Sequence, residues 1–280
     1  MGVLLKETGM EKLGVLDSLK ITVLAEDSVL YESPYLGQHG VSFLLEGVSG
    51  KATKSILVDV GQNSEALLYN MRTMGIYPKV IDAIVLTHCH YDHTQGVARL
   101  LREIAREDVQ VIAHPSIFRQ HFITEPYHRH VGIMEDDSEM EMEKAGASLS
   151  LTGEPFTIMP GIITTGEVKR KTEFEGGSIG LKTIENGMVK DDLMFDDISV
   201  VANVKDKGLV IVTGCSHAGI VNITNQAVEV ADCSKIAAII GGLHLIEASD
   251  AVIKSTIDEL LKLDIAWISA GHCTGFKAQV

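Results

Sequence analysis

The segment Ile84-Val85-Leu86-Thr87-His88-Cys89-His90-Tyr91-Asp92-His93 constrains this chain more than any other. An apolar, strand-like run ends abruptly in three histidines and an aspartate, all of them side chains that bind metals. Residues two apart at the end of a strand point the same way, so His88 and His90 can grip one cation together. Where the chain bends toward the helical pattern at Gly96, Asp92 and His93 turn to a neighbouring position and can hold a second cation about 3.5–4 Å away. An HxH pair alone is a weak signal, but the appended Asp-His makes a two-ion site the better reading than a set of surface histidines.

The pattern on either side predicts one large α/β domain, which 280 residues suffice to build around a full core. Ile21–Ala25, Val41–Glu46 and Ser55–Val60 read as strands, Ser64–Met74 as an amphipathic helix and Ala83–Leu86 as a short buried strand. Gly96–Arg106 has helical spacing, and Val109–Ala113 is strand again before His114-Pro115 stops it. From Ser116 to Leu149 the pattern dissolves into a stretch with His121, His128, His130 and the acidic run Glu135–Glu143. Loops of that length are usually functional or disordered, so residues 116–149 are expected to form an active-site flap, with a solvated insertion as the alternative.

Ile198–Val204 and Gly208–Thr213 predict a hairpin, and the rest alternates strand and helix: Ile220–Ala231, Ile236–Ile240, Asp250–Leu261 and Ile265–Ser269. This rhythm fits two sheets packed face to face with helices outside each. Residues 1–18 read as an N-terminal extension and 19–280 as the domain. The run Gly275–Val280 reads as the opening of a further helix, so the chain is expected to stop early.

A hydrophobic share of 45% with 22% charged residues is that of a globular protein, without an apolar run long enough to span a membrane. The first residues lack the layout of a secretion signal, so a cytoplasmic protein is expected. A net charge of −14 speaks against a long grip on nucleic acid, which needs Lys and Arg on phosphates. Four cysteines without CxxC spacing are no disulfide framework and read as reduced thiols. The partners this leaves are a small molecule and, at most, further copies of the chain. Lys169, Arg170 and Lys171 are the cations available for a phosphate, or else a solvated loop face.

Each of the last three strands is followed by a histidine, in Gly214-Cys215-Ser216-His217, Gly241-Gly242-Leu243-His244 and Gly271-His272-Cys273-Thr274-Gly275. Three such residues at corresponding places converge on one rim, as strand ends do in α/β sites. His217 and His272 are the candidates to complete the two metal shells. His244 fits a substrate contact or proton carrier, which makes Asp92 and His244 the catalytic candidates.

The HxHxDH loop after a buried strand resembles the signature of the metallo-β-lactamase superfamily, and the resemblance spans nearly the whole chain. It implies an αββα sandwich of two mixed β-sheets flanked by helices. It also implies two divalent metal ions, with zinc first and manganese, iron or magnesium as the other choices. The superfamily supports its metal loop with an upstream aspartate at a strand end, which Asp59 matches; a helix N-cap is the plainer reading of that residue. The chain departs from the pattern twice. Thr164-Thr165-Gly166-Glu167 stands where a further metal histidine is usual, and Cys215 stands in place of a bridging aspartate. Cys215 can ligate zinc as thiolate or support the site as a small buried residue.

The strand-end motifs resemble one branch in particular, the dihydropterin-6-yl-methyl-4-(β-ribofuranosyl)aminobenzene 5′-phosphate synthases and their uncharacterised relatives. That likeness implies a substitution in which an aryl amine sugar phosphate displaces pyrophosphate from a dihydropterin methyl carbon, the metals stabilising the leaving group. The same ligands equally serve a hydrolase of a phosphoester, lactone or thioester acting through a bridging hydroxide. A metal-binding protein without catalysis is the third alternative.

Overall fold

The computed structural model describes residues 13–176 and 180–280. In chain order the first half contains β1 (Ser18–Ala25), β2 (Ser42–Ser49), β3 (Ala52–Val58), α1 (Ser64–Thr73), β4 (Ala83–Val85), α2 (Tyr91–Thr94), α3 (Val97–Ile104) and β5 (Val109–Ala113). Then come β6 (His121–Ile123), β7 (Arg129–His130), α4 (Glu139–Lys144), β8 (Ala147–Leu151), β9 (Thr157–Met159) and β10 (Ile162–Thr164). The second half adds β11 (Leu181–Glu185), β12 (Met188–Asp191), β13 (Val200–Val204), β14 (Gly208–Thr213), α5 (Ile220–Ala231), β15 (Ile236–Gly242), α6 (Asp250–Leu260), β16 (Ile268–Gly271) and α7 (Phe276–Gln279).

Two six-stranded sheets result, ordered β1-β2-β3-β4-β5-β8 and β16-β15-β14-β13-β10-β9. Each begins antiparallel and turns parallel where a helix makes the crossover: at β3 and β4 in the first, at β14 and β15 in the second. Alternation along the strands shows why both faces must be covered. Phe43, Leu45, Ile56 and Val58 face Val200, Ala202, Val210 and Val212 in the layer between the sheets. Their neighbours Leu44 and Leu57 point out under Leu67 and Met71 of α1 and Leu100 and Leu101 of α3. Leu209 and Ile211 likewise pack under Ile220, Ile223 and Ala227 of α5. This is the αββα sandwich that the strand and helix rhythm predicted.

A third, four-stranded sheet, β12-β11-β6-β7, was not predicted. Its strands are short and half exposed, so they carry no long apolar run for a sequence pattern to reveal. The stretch expected to form an active-site flap contains β6, β7 and α4, and ends in β8, which pairs in parallel with β5. Its acidic run has a buried purpose: Asp137 accepts the backbone N–H groups of Gly96 and Ala98 at 2.7 and 2.9 Å, capping α3. Of the expected N-terminal extension, residues 1–12 lie outside the described residues. Leu13 and Leu16 are buried, and Leu16 exchanges hydrogen bonds with Asn203 and Lys205, so this part packs on the domain.

Candidate metal centre

β4 delivers the loop Thr87–His93 between the ends of the two sheets, and Asp59, just past β3, holds it there. Asp59 is wholly buried; its carboxylate accepts Thr87 N–H at 2.8 Å, Thr87 Oγ1–H at 2.7 Å and faces His93 Nδ1 at 2.7 Å. That turns His93 Nε2 toward the centre. The cap of α1 is Asn63, so Asp59 supports the metal loop and caps no helix. Gly214 makes the close fit possible: a Cβ there would lie 2.2 Å from Thr87 Oγ1 and 2.7 Å from Asp59 Oδ2. Asp59, Ser216, His244 and His272 all adopt left-handed backbone, with φ of 57, 66, 46 and 49°. Strain of this kind is tolerated where the surrounding structure fixes a functional geometry.

Two donor clusters converge. In the first, His88 Nε2 and His217 Nε2 lie 3.1 and 3.2 Å from His90 Nδ1. In the second, His93 Nε2 is 3.3 Å from His272 Nε2 and 3.1 Å from Cys215 Sγ. Asp92 Oδ2 is 3.4 Å from both of those histidine nitrogens. The sequence's metal candidates therefore come together as two sets, His88, His90 and His217 beside Asp92, His93 and His272. Cys215, expected beside Asp59 as a supporting residue, stands among the donors of the second set.

The electrostatics fit cations. Burial and the neighbouring imidazoles push His88, His90 and His217 well below the ordinary histidine range, so all three offer neutral lone pairs. Three such lone pairs aimed at one another repel unless a cation lies among them. In the second set burial opposes charge on His93, but Asp92 and Asp59 outweigh it and raise this residue. Burial likewise opposes charge on His272, yet Asp27 and Asp92 raise it to about 9. The carboxylates thus draw onto two histidines the positive charge that a divalent ion would supply. Burial pushes the Cys215 thiol up, so a thiolate there calls for a metal.

Several participants left little trace in the sequence. His39 Nδ1 is held by Asp27 at 3.0 Å and its Nε2 stands 3.4 Å from Asp92 Oδ2, with half of the side chain open to solvent. Asp27 also holds His272 Nδ1 at 2.6 Å, and Glu26 accepts His272 N–H at 2.6 Å. The one available signal was position: Glu26-Asp27 ends β1 as Asp59 ends β3. His121 brings its Nε2 to 2.8 Å from His90 Nε2, from within the presumed flap. A polar cleft of about 790 Å³, lined in part by Gln38, Gln62, Gln95 and Arg99, opens beside His39.

His244 lies on the rim with its ring 4.0 Å from that of His217 and forms a further cluster with Cys215 and Cys273. The expected phosphate cations do not gather there. Lys169 and Lys171 reach Glu229 on the outer face of α5, at 2.7 and 3.2 Å. Arg170 spends its guanidinium on the carbonyls of Gly176, Leu193 and Met194. Glu167 pairs with His114 at 3.3 Å and belongs to neither donor set.

Two facing mixed sheets with an HxHxDH loop at their shared rim define the class, and the chain belongs to the metallo-β-lactamase superfamily. Residues 55–181 match the family described as beta-lactamase superfamily domain. Along 270 residues the chain is 43% identical to the 7,8-dihydropterin-6-methyl-4-(β-D-ribofuranosyl)-aminobenzene-5′-phosphate synthase of Methanocaldococcus jannaschii, covering 95% of this chain and 91% of that protein. It is 35% identical to an uncharacterized protein of the same organism, over 90% of each chain. A solved metal-dependent hydrolase of the beta-lactamase superfamily superposes with a TM-score of 0.76 at 25% identity, over 94% of this chain and 91% of that one. The chain is an enzyme, and the alternative of a non-catalytic metal carrier is set aside. Among the described residues no helix is long and apolar enough to cross a membrane.

Proposed function

We propose that the enzyme joins an aryl amine sugar phosphate to the methyl carbon of a dihydropterin methyl diphosphate, with release of pyrophosphate. The observation that carries this reading is the 43% identity to a synthase of that name along 95% of the chain. His88, His90 and His217 would hold one divalent ion; Asp92, His93, His272 and Cys215 would hold the other. Imidazoles with a thiolate suit zinc before magnesium or manganese. Bound ions would supply Lewis acidity that offsets charge on the departing diphosphate.

The chain's own residues supply the rest. Asp27 orients His39 so that its Nε2 edge faces the centre beside the polar cleft, while His244 stands next to His217. Both histidines would contact the substrate, and the cleft would admit its flat polar ring. Such a biosynthetic role goes with a cytoplasmic location. Hydrolysis is the second reading, favoured by the superposition on a metal-dependent hydrolase.

The test is to incubate metal-reconstituted protein with 7,8-dihydropterin-6-methyl diphosphate and the ribofuranosylaminobenzene phosphate, following product mass and pyrophosphate. Coupled product that vanishes on chelation supports the transferase. Pyrophosphate or phosphate without coupled product favours the hydrolase.

A further inference from the structure

His90 determines where every proton lies in a chain of contacts leading away from the first donor set. Its Nδ1 faces His88 and His217, so to donate a lone pair to a cation it must be bare, and the single proton of the neutral ring sits on Nε2. That nitrogen lies 2.8 Å from His121 Nε2. Two ring nitrogens at this distance need one donor and one acceptor, so His121 Nε2 is bare and its proton is on Nδ1. There Asp192 Oδ2 accepts it at 2.7 Å. Arg119 closes the chain, with Nε donating to Asp192 Oδ2 at 2.6 Å and Nη2 to Oδ1 at 3.0 Å.

The same short segment reaches the other two ligands of this set. Asp196 Oδ2 accepts the N–H of Cys89, the peptide between His88 and His90, at 2.8 Å, and a further Arg119 nitrogen holds it at 2.7 Å. Asp197 Oδ2 accepts Ala218 N–H, next to His217, at 2.6 Å. Ile198 N–H donates to Thr87 O at 2.9 Å, and Arg170 grips the carbonyls of Leu193 and Met194. His121, Asp192, Asp196 and Asp197 are all buried. A buried array of ions is a poor way to gain stability, since apolar residues of similar volume commonly do as well or better. Its geometry is what those apolar residues could not supply.

We infer that residues 192–197, with His121 and Arg119, form a positioning brace at the first metal position that sets the tautomer of His90 and fixes the backbone beside His88 and His217. Asp59 serves both positions, through Thr87 Oγ1, which stands 3.0 Å from His88 Nδ1, and through His93 Nδ1, while Glu26 and Asp27 hold His272 at the second. This inference rests on the two-ion reading above and concerns metal binding alone, so it stands or falls separately from the identity of the substrate.

The test is zinc binding to the whole chain, by elemental analysis and chelator competition, in His121→Phe, His121→Gln and Asp27→Asn. His121→Phe removes the acceptor for His90 N–H and is expected to weaken one ion about 10–100-fold, leaving the other as in the parent. His121→Gln places a carbonyl oxygen where Nε2 was and is expected to restore most of that affinity, which also separates positioning from loss of fold. Asp27→Asn is expected to weaken the other ion, so the double variant His121→Phe with Asp27→Asn loses affinity at both. Parent-like affinity for both ions in His121→Phe would overturn the brace, as would a double variant that keeps one ion at parental affinity. Two bound ions in the parent are the premise; a parent that retains none overturns the metal reading and the brace together.

Discussion

The two donor sets sit side by side yet are built on opposite electrostatic plans. The first consists of three neutral imidazoles, with Asp192 kept behind His121, Asp196 on the backbone between His88 and His90, and Arg119 behind both carboxylates. The second places Asp92 and Cys215 among its donors and backs both of its histidines with carboxylates, Asp59 behind His93 and Asp27 behind His272. A negatively charged donor set attracts a dication more strongly than a neutral one and, with a thiolate in it, selects softer metals. The second position is therefore the expected permanent site, and the first the one that exchanges.

The strongest way to break this contrast is to remove a ligand from each set. His88→Ala with His93→Ala should abolish metal retention, while circular dichroism shows the helices intact, because neither side chain belongs to the apolar clusters under α3 and α5. Unchanged zinc content by elemental analysis would refute the central reading. Next in size is Cys215→Asp, which exchanges the soft donor for a hard one. Zinc affinity should fall relative to manganese, and a cobalt-substituted parent should show a thiolate charge-transfer band that the variant lacks. A band that persists in the variant would remove Cys215 from the second set.

A smaller effect concerns pH. His272 is raised from 6.5 to about 9 in the folded protein, so its protonation contributes stability that is fully present below about pH 6.5 and lost as pH rises through 9. Chelated protein should accordingly lose melting temperature between those values. Zinc-loaded protein should lose much less, the ion having replaced the proton; parallel curves with and without zinc would contradict the assignment of His272. The smallest change is Lys169→Ala. With its ammonium paired to Glu229 on the outer surface, where solvent screens the pair, the substitution should leave melting temperature and kcat/KM essentially unaltered. A large rise in KM would bring Lys169 back as a phosphate contact.

What could be read from the sequence follows from locality. Val109–Ala113 and Ile220–Ala231 appear in the structure with the bounds their patterns predicted, because strand and helix periodicities are properties of contiguous residues. The His88–His93 loop and the strand-end residues His217 and His272 were legible for a similar reason: each lies at a strand end, and strand ends of a covered sheet share a rim. His121 and Asp192 were not. His121 lies in a small sheet of short, half-exposed strands and Asp192 just beyond it, and a run such as Asp191-Asp192-Leu193-Met194-Phe195-Asp196-Asp197 reads in isolation as a solvated acidic stretch.

The sequence by itself determined the sandwich and the donor-rich loop at its rim, since alternation along single strands and donor spacing along a single loop are local properties. Only the tertiary structure decided the partition of donors between two positions, the entry of Cys215 into the second, and the fate of the cations at 169–171. Those outcomes depend on residues far apart in sequence meeting in a buried space, as His93 and His272 do across 179 positions. There, desolvation makes each charge seek a particular partner, and no local pattern records which partner it finds.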